Sequence, residues 1–254
     1  MTEGMQGKVA FVTGGASGIG RATAIAFAKK GANVVITDVS DNNGQAVVQE
    51  IKSQNCEALY IHVDVSHPDE VERAVQATVG QFGRLDYGAN IAGISGVSAP
   101  VTDYKTEDWN SVIGINLTGV FLSMKYELQQ MMKQGSGAVV NMASILGQAG
   151  FANSVAYASA KHGVIGMTET AAIEYAPKGI RVNAVCPGFI ETPMLSGMGM
   201  TRGTDIYKSI ASLHPMGRLG LAEEIASVVV WLCSDEASFV TGESIRVDGG
   251  YLAQ

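Results

Sequence analysis

A glycine-rich turn near the start of the chain constrains the fold more than any other feature. Residues 8–13 form a short apolar run typical of a buried strand, and T-G-G-A-S-G-I-G follows at residues 13–20. A helical pattern then continues to Gly31. A strand that leads through a tight turn into a helix is the repeating unit of a parallel sheet, because the helix must carry the chain back before the next parallel strand begins.

The same turn has the composition of a phosphate-binding loop. Gly14 permits the tight turn, Gly18 lets the backbone approach a pyrophosphate, and Gly20 allows the helix to pack on the strand. With Ser17 and Ile19 between them, these residues place free N–H groups at the positive end of a helix dipole. The spacing is G-x-x-x-G-x-G rather than the general G-x-G-x-x-G, so an ordinary strand-to-helix turn is the alternative. We predict that this turn binds a dinucleotide.

An acidic residue follows the second strand pattern. Residues 33–37 are predicted to form a strand that ends at Asp38, eighteen residues beyond the last glycine of the turn. A carboxylate at this position accepts hydrogen bonds from ribose hydroxyls and repels a 2′-phosphate. Ser17, Val39 and Ser40 supply no basic side chain there. We therefore predict NAD rather than NADP, with an ordinary polar strand end as the alternative.

The rest of the chain alternates strand and helix patterns. Further strands are predicted at residues 58–63, 85–91, 138–142, 181–185 and 244–247. They are apolar through their middles, as strands of a parallel sheet covered on both faces are, and right-handed crossovers make such a sheet doubly wound. We predict an α/β fold: one domain over residues 1–254, with a single Rossmann-like, doubly wound parallel sheet of about seven strands and helices on both faces.

Polar residues come at the ends of these strands. In a doubly wound sheet, ligands bind beyond the carboxyl ends of the strands. Thr13, Asp38, Asp64, Asn90 and Ser144 all come at such ends, so we expect them to surround one crevice.

Tyr157 and Lys161 are four residues apart in an alanine-rich segment predicted to be a helix, so they share a face one turn apart. A phenol has a reference pKa of about 10, and a nearby ammonium lowers it, which makes the pair a tunable acid and base. The alternative is an ordinary helix surface. Asn116 lies inside another predicted helix, residues 109–131, among apolar neighbours that indicate partial burial.

Composition and charge exclude several classes of function. The net charge is −7, and no basic cluster appears, so we predict no nucleic-acid partner. No apolar run reaches membrane-spanning length, and residues 1–7 lack a signal-peptide pattern, which predicts a cytoplasmic protein with no membrane partner. Cys56, Cys186 and Cys233 are scattered and are predicted to be free thiols. No His, Asp or Glu cluster has metal-ligand spacing, so no metal is predicted.

Taken together, the motifs resemble the short-chain dehydrogenase/reductase family over essentially the whole chain, from Lys8 to Gly250. They occur in that family's order and spacing: T-G-G-A-S-G-I-G at 13–20, N-I-A-G at 90–93, Asn116, Ser144, Tyr157-x-x-x-Lys161 and Pro187-Gly188. One departure is visible, because the family commonly has N-N-A-G and the second asparagine is Ile91 here.

The resemblance implies four catalytic residues. Tyr157 transfers a proton to or from the substrate oxygen, and Ser144 holds that oxygen. Lys161 lowers the phenol pKa and hydrogen-bonds the nicotinamide ribose. Asn116 kinks its helix and anchors a water that relays protons from Lys161 to solvent.

The resemblance also implies the contacts of cofactor and substrate. The cofactor residues are Gly14, Ser17, Gly18, Ile19, Gly20, Asp38, Asp64, Val65, Asn90, Ala92, Gly93, Tyr157, Lys161, Pro187, Gly188, Ile190 and Thr192. The substrate residues are Ser144, Leu146, Tyr157, Phe189, Met194 and Met198. Residues 189–215 are expected to form a substrate lid rich in adaptable methionines, with simple core packing as the alternative. A homotetramer is the expected assembly.

We therefore predict an NAD-dependent secondary alcohol dehydrogenase or ketone reductase. The same fold and residues serve carbohydrate and hydroxysteroid dehydrogenases and 3-oxoacyl-carrier ketoreductases, while related enoyl reductases usually space the tyrosine and lysine more widely. The apolar lid favours a substrate with an apolar or cyclic body. Basic residues are scarce in it, Arg202 and Lys208 only, which argues against an acidic carrier protein or a phosphorylated substrate. A non-catalytic dinucleotide sensor is the alternative from another class, although a pure binder has no use for the phenol.

Overall fold

The computed structural model describes residues 4–254. The strands are β1 (Val9–Thr13), β2 (Asn33–Asp38), β3 (Ala58–His62), β4 (Tyr87–Asn90), β5 (Gly137–Met142), β6 (Ile180–Pro187), β7 (Ile190–Glu191), β8 (Gly220–Leu221) and β9 (Ser244–Val247). The helices are α1 (Gly18–Lys29), α2 (Asp41–Lys52), α3 (Pro68–Phe82), α4 (Thr106–Ile113), α5 (Val120–Gln134), α6 (Val155–Tyr175), α7 (Pro193–Gly197), α8 (Asp205–Ser212) and α9 (Ala222–Cys233).

Seven strands form one parallel sheet in the order β3-β2-β1-β4-β5-β6-β9. The chain moves outward from β1 through β2 to β3 and then returns to place β4 on the other side of β1. At this reversal the two flanking connections leave the sheet on opposite faces, which opens a crevice at the carboxyl ends of β1 and β4. The predicted doubly wound sheet of about seven strands is confirmed.

Each face of the sheet has its own apolar core. On one side, Val12 of β1 packs with Phe27 of α1 and Val229 of α9. On the other side, Phe11 packs with Leu128 of α5. Successive residues of a strand point to opposite faces, so β1 must be apolar at every position, and all five of its residues are buried.

The helix predicted at residues 109–131 is interrupted. It begins earlier, as α4, and a π-helical turn at Gly114–Gly119 separates it from α5. Asn116 lies in this turn and is fully buried. Its Oδ1 accepts the Ile94 N–H at 2.8 Å, and its Nδ2 donates to the Ile94 carbonyl at 2.7 Å. The side chain thus fastens the helix to the segment that follows β4.

Two further elements, β7 and β8, pair in parallel at the base of the insert between β6 and α9. Neither was predicted, because two residues carry no periodicity. Cys56, Cys186 and Cys233 are all free thiols, and the last two are buried. Among residues 4–254, no helix has both the length and the apolarity needed to cross a bilayer.

Candidate active site

A cavity of about 520 Å³ lies beyond the carboxyl ends of the strands, at the point where the strand order reverses. The turn before α1, the ends of β2 and β3, and the segments after β4, β5 and β6 all line it. Its volume is within the range of small-molecule sites. The sheet therefore gathers residues that are far apart in the sequence into one crevice.

The glycine-rich turn forms one end of the cavity. Gly14, Ser17, Gly18, Ile19 and Gly20 all line it at the N-terminus of α1. A Cβ atom on Gly14 would lie 2.7 Å from the Ala92 Cα atom, and one on Gly20 would overlap the Gly14 carbonyl oxygen. Only glycine allows this close packing, which leaves the dipole end of α1 open to an anion.

Asp38 lies at the edge of the same half of the cavity. Its Oδ2 accepts the Ala16 N–H at 3.1 Å, and its Oδ1 accepts the Ser40 N–H at 3.0 Å. These bonds fix the carboxylate beside the glycine-rich turn. Other predicted cofactor residues line this half or the centre of the cavity: Asp64, Val65, Ala92, Gly93, Pro187, Gly188, Ile190 and Thr192.

Asn90 does not border the crevice, contrary to the expectation for residues at strand ends. Its side chain is fully buried, and its Nδ2 donates to Glu127 Oε2 at 2.9 Å and to Asn141 Oδ1 at 3.0 Å. Because side chains alternate along a strand, the last residue of β4 points into the protein. Thr13 lies beneath the cavity as well, where its hydroxyl accepts the N–H groups of Ile91 and Ala92 at 3.0 and 3.2 Å.

Ser144, Tyr157 and Lys161 come together at the centre of the cavity. Ser144 follows β5, and its Oγ accepts the Leu146 N–H at 3.1 Å. Tyr157 lies in the first turn of α6, and Lys161 follows one turn later. The Lys161 ammonium donates to the Met142 carbonyl at 2.7 Å and lies 5.5 Å from the centre of the Tyr157 ring.

Burial governs the protonation of this cluster. It raises the pKa of the Tyr157 phenol, and the neighbouring Ser144 hydroxyl opposes the shift. It also lowers the pKa of Lys161 to about 8, because an ammonium is poorly solvated there. The phenol pKa was expected to fall, but the Lys161 ammonium donates to the Met142 carbonyl, and burial is the larger effect on the phenol. A lowered phenol pKa stays a prediction for the complex.

The other half of the cavity is apolar. The predicted substrate residues Leu146, Phe189, Met194 and Met198 line it. Asp38, Asp64 and Lys161 are the charged side chains that line the cavity within residues 4–254. Both aspartates belong to the half that contains the glycine-rich turn. The apolar half can therefore receive a neutral, apolar molecule next to the Ser144 and Tyr157 hydroxyls.

Comparisons with known proteins agree over the whole chain. The family model described as "Enoyl-(Acyl carrier protein) reductase" matches residues 14–252. Cyclohexanol dehydrogenase of Acinetobacter sp. (strain SE19) is 42% identical over 254 residues, which cover 100% of this chain and 98% of that protein. This chain belongs to the short-chain dehydrogenase/reductase family.

Two further relatives of this short-chain dehydrogenase/reductase extend the comparison. Cis-4-hydroxycyclohexanecarboxylate dehydrogenase of Sinomonas cyclohexanicum is 44% identical over 253 residues, covering 100% of both chains. The crystal structure of levodione reductase superposes with a TM-score of 0.94 at 40% identity and covers 98% of each chain. The resemblance inferred from the motifs is thus confirmed.

Membership of the short-chain dehydrogenase/reductase family implies a nicotinamide dinucleotide cofactor, and the cavity fits one. A Cβ atom on Gly18 would lie 3.3 Å from Thr192 Cγ2. Side chains at these turn positions would therefore fill the space in which a pyrophosphate lies against α1. No group of three or more His, Cys, Asp or Glu side chains suited to a metal occurs among residues 4–254.

Sequence reasoning missed several residues that line the apolar half in this short-chain dehydrogenase/reductase. They are Ile94, Ser95, Phe151, Ser154 and Ile210. The first four lie in or next to the loops that follow β4 and β5, where no periodicity marks a buried side chain. Ile94 and Ser95 directly follow the N-I-A-G motif, and that position was the one available signal.

Proposed function

We propose that this chain transfers a hydride between NAD and a cyclic secondary alcohol or its ketone. One observation carries the proposal: Ser144, Tyr157 and Lys161 meet where a dinucleotide half of the cavity joins an uncharged apolar half. The fixed Asp38 carboxylate supports NAD, because a 2′-phosphate beside it would place like charges together.

The chemistry follows from the polar groups. When bound, the oxidised nicotinamide supplies the acceptor for the hydride of the carbinol carbon. Ser144 donates a hydrogen bond to the substrate oxygen and fixes its position. Tyr157, as phenolate, takes the hydroxyl proton, and in the reverse direction the phenol returns it. Lys161 stabilises the phenolate by its charge.

Proton exchange with solvent is assigned to Lys161 and the π turn. A pKa of about 8 lets Lys161 release and take up a proton near neutral pH. Both polar atoms of the Asn116 side chain are already bonded to Ile94. We therefore propose that the proton-relaying water binds the main-chain carbonyl of Asn116, because a π turn disturbs the regular helical bonding.

The residues of the apolar half support a ring as the substrate body. The Phe151 and Phe189 rings meet edge to face with centroids 6.3 Å apart, and both line this half. The relatives named above include dehydrogenases of cyclohexanol and of a hydroxycyclohexanecarboxylate. A sugar would require more polar partners than the Ser95 and Ser154 hydroxyls provide.

The insert argues against a carrier-bound substrate. Arg202 pairs with Glu191 at 2.8 Å, and Lys208 pairs with Asp205 at 3.2 Å. Each basic residue of the insert thus has an acidic neighbour, so the insert offers an acidic carrier protein little net positive charge. We assign residues 189–215, which include α7 and α8, to a lid that closes over the substrate, with Met194 and Met198 facing it.

The assembly and compartment complete the proposal. We propose a homotetramer, because Phe239 is fully exposed and Phe121, Ile173 and Trp231 are also exposed on helices that flank the sheet. Three free thiols fit the reducing cytoplasm.

The test is a panel of alcohols measured by the reduction of NAD. We expect the highest kcat/KM with cyclohexanol, followed by 2-hexanol, with lower values for glucose, a hydroxysteroid and a 3-hydroxyacyl carrier thioester. Tyr157→Phe keeps the ring volume and should bind NAD normally, but its turnover should fall by about two to four decades on every substrate. A sugar or thioester as the best substrate, or full turnover by Tyr157→Phe, would contradict the proposal.

A further inference from the structure

A second layer of aromatic rings lies behind the apolar half of the cavity. The Phe189 ring contacts the edge of His214, with centroids 5.8 Å apart, and Tyr251, at 5.9 Å. His214 and Tyr251 contact each other at 5.2 Å. Neither lines the cavity, whereas Phe189 does. These two residues can therefore act on a substrate only through Phe189 and its neighbours.

His214 joins two parts of the cavity wall. Its Nε2 accepts the Phe189 N–H at 3.4 Å, and its Nδ1 donates to the Ile210 carbonyl at 2.9 Å. The carbonyl can only accept and the N–H can only donate, so these partners fix the tautomer. Ile210 belongs to α8 and lines the cavity. The imidazole, 3% exposed, thus ties the insert to the segment that follows β6.

Tyr251 is fixed by the turn that follows β9. The Asp248 carboxylate accepts the N–H groups of Gly250 at 2.9 Å and Leu252 at 3.0 Å, one on each side of Tyr251. The Gly249 carbonyl also accepts the Met216 N–H at 3.2 Å. The end of the chain is therefore folded against the end of the insert, and it presents the Tyr251 ring to Phe189.

Little else supports Phe189 from behind. A second cavity of about 90 Å³ lies there, lined by Gly188, Phe189, His214 and Met216 among others. A Cβ atom on Gly188 would lie 3.1 Å from His214 Nε2, so glycine is what allows the imidazole to approach. A ring that borders a cavity has few close contacts with side chains on that side. The position of the Phe189 ring consequently depends on His214 and Tyr251.

We propose that His214 and Tyr251 are specificity-determining positioning residues, which hold Phe189 as a fixed aromatic wall that selects ring alcohols over linear ones. The inference rests on the proposed function, since it concerns the substrate of that site. A rigid ring gains contact with a fixed wall at little entropic cost. A flexible chain must give up rotamer freedom to make the same contact and depends less on the wall.

The experiment measures kcat/KM for cyclohexanol and 2-hexanol in Tyr251→Leu and His214→Leu, with NAD affinity and the melting temperature as further readouts. Both variants should lower the ratio of ring to linear kcat/KM by about tenfold, the range in which small changes of an apolar pocket discriminate substrates. Tyr251→Phe keeps the ring and should have the wild-type ratio of ring to linear kcat/KM. The matched control is Tyr175→Leu, the same change at the distant end of α6, which should leave the ratio at its wild-type value.

The wall is overturned if the ratio of ring to linear kcat/KM is unchanged in folded Tyr251→Leu and His214→Leu, whether or not both alcohols lose activity equally. If the wild-type protein oxidises neither alcohol, the proposed function fails. The role of the wall is then tested by the affinities of cyclohexanone and 2-hexanone for the complex with NADH. A ratio of ring to linear ketone affinity that falls in the variants supports the wall. An unchanged ratio, or no binding of either ketone, overturns it.

Discussion

Lys161 is 3% exposed, and its ammonium donates a hydrogen bond to the Met142 carbonyl. Burial raises the pKa of the Tyr157 phenol, and an ammonium 5.5 Å from the ring centre is placed to favour the phenolate. Lys161→Met removes that charge and keeps the phenol. Residual oxidation should then require a pH higher by about one unit or more, the size of effect expected for an opposite charge at this range. NAD should also bind more weakly.

The pH profile of kcat/KM measures this change, and NAD affinity is measured by titration. Lys133→Met is the matched control, because Lys133 is exposed in the last turn of α5. A Lys161→Met profile that coincides with the wild-type profile would remove Lys161 from the control of the phenol.

Asp38 accepts two backbone N–H groups, and no basic side chain of residues 4–254 is among its hydrogen-bond partners. A 2′-phosphate beside it should cost several kcal/mol, so NAD should be preferred over NADP by about a hundredfold or more. Asp38→Ala should narrow this preference, mainly by weakening NAD. Affinities for both dinucleotides are the measurement, with exposed Asp69→Ala on α3 as the control. Comparable kcat/KM with NAD and NADP in the wild type would refute the assignment.

At the scale of elements, Glu127 links α5 to the end of β4. It is fully buried and accepts a bond from Asn90 Nδ2 at 2.9 Å. Glu127 Oε1 and Asn90 Oδ1 have no hydrogen-bond partner within residues 4–254. Burial raises the pKa of Glu127 to about 8, and the bond from Asn90 opposes this shift. A protonated Glu127 carboxyl also supplies a hydrogen-bond donor beside these unpartnered acceptor oxygens.

The raised pKa predicts how stability depends on pH. Between the ordinary pKa of 4.5 and the folded value of about 8, the folded chain binds more protons at Glu127 than the unfolded chain. The contribution of Glu127 to the free energy of unfolding should therefore be largest below pH 4.5. It should fall as pH rises to 8, by on the order of a few kcal/mol. The Cys233 thiol, which interacts with Glu127, has a pKa of about 12 and stays protonated over this range.

Urea unfolding at pH 5.5 and pH 8, at one protein concentration, measures the effect. Glu127→Gln keeps the shape without a titrating group, so it should lose this part of the pH dependence. Glu174→Gln on the exposed side of α6 should keep it. Equal slopes in the wild type and Glu127→Gln would mean that Glu127 is ionised in the fold.

Elements with strong patterns were predictable, and those set by distant contacts were not. The β9 strand has the boundaries that its apolar pattern predicted. The π turn at Gly114–Gly119 was hidden, because Asn116 leaves the regular helix to reach Ile94, a contact across 22 residues. The direction of the Asn90 side chain was misjudged for a related reason. A position at the end of a strand shows which edge of the sheet a residue lies on. Its place in the pleat decides which face its side chain points to.

For the molecule as a whole, the doubly wound parallel sheet followed from general rules of chain topology, and so did the position of the crevice. Motifs alone predicted that the glycine-rich turn would lie beside Ser144, Tyr157 and Lys161, and these residues line one cavity. The aromatic wall could not be predicted in this way. Phe151, Phe189, His214 and Tyr251 come from separate loops, and only the packing of those loops against one another brings their rings together.

The exposed apolar residues carry the last prediction, which concerns assembly. Phe239 is 102% exposed and follows α9, whose Trp231 is 37% exposed. Burial of such side chains contributes about 1.5–3 kcal/mol each, so a second copy of the chain that covers them is stabilised. We expect the wild type to sediment as a tetramer at micromolar concentration. Phe239→Glu should shift it towards smaller species and lower its melting temperature. Val101→Glu, a change at an exposed apolar residue in the segment between β4 and α4, should leave the tetramer intact. A wild-type monomer, or a Phe239→Glu protein that stays tetrameric, would place the subunit contact elsewhere or remove it.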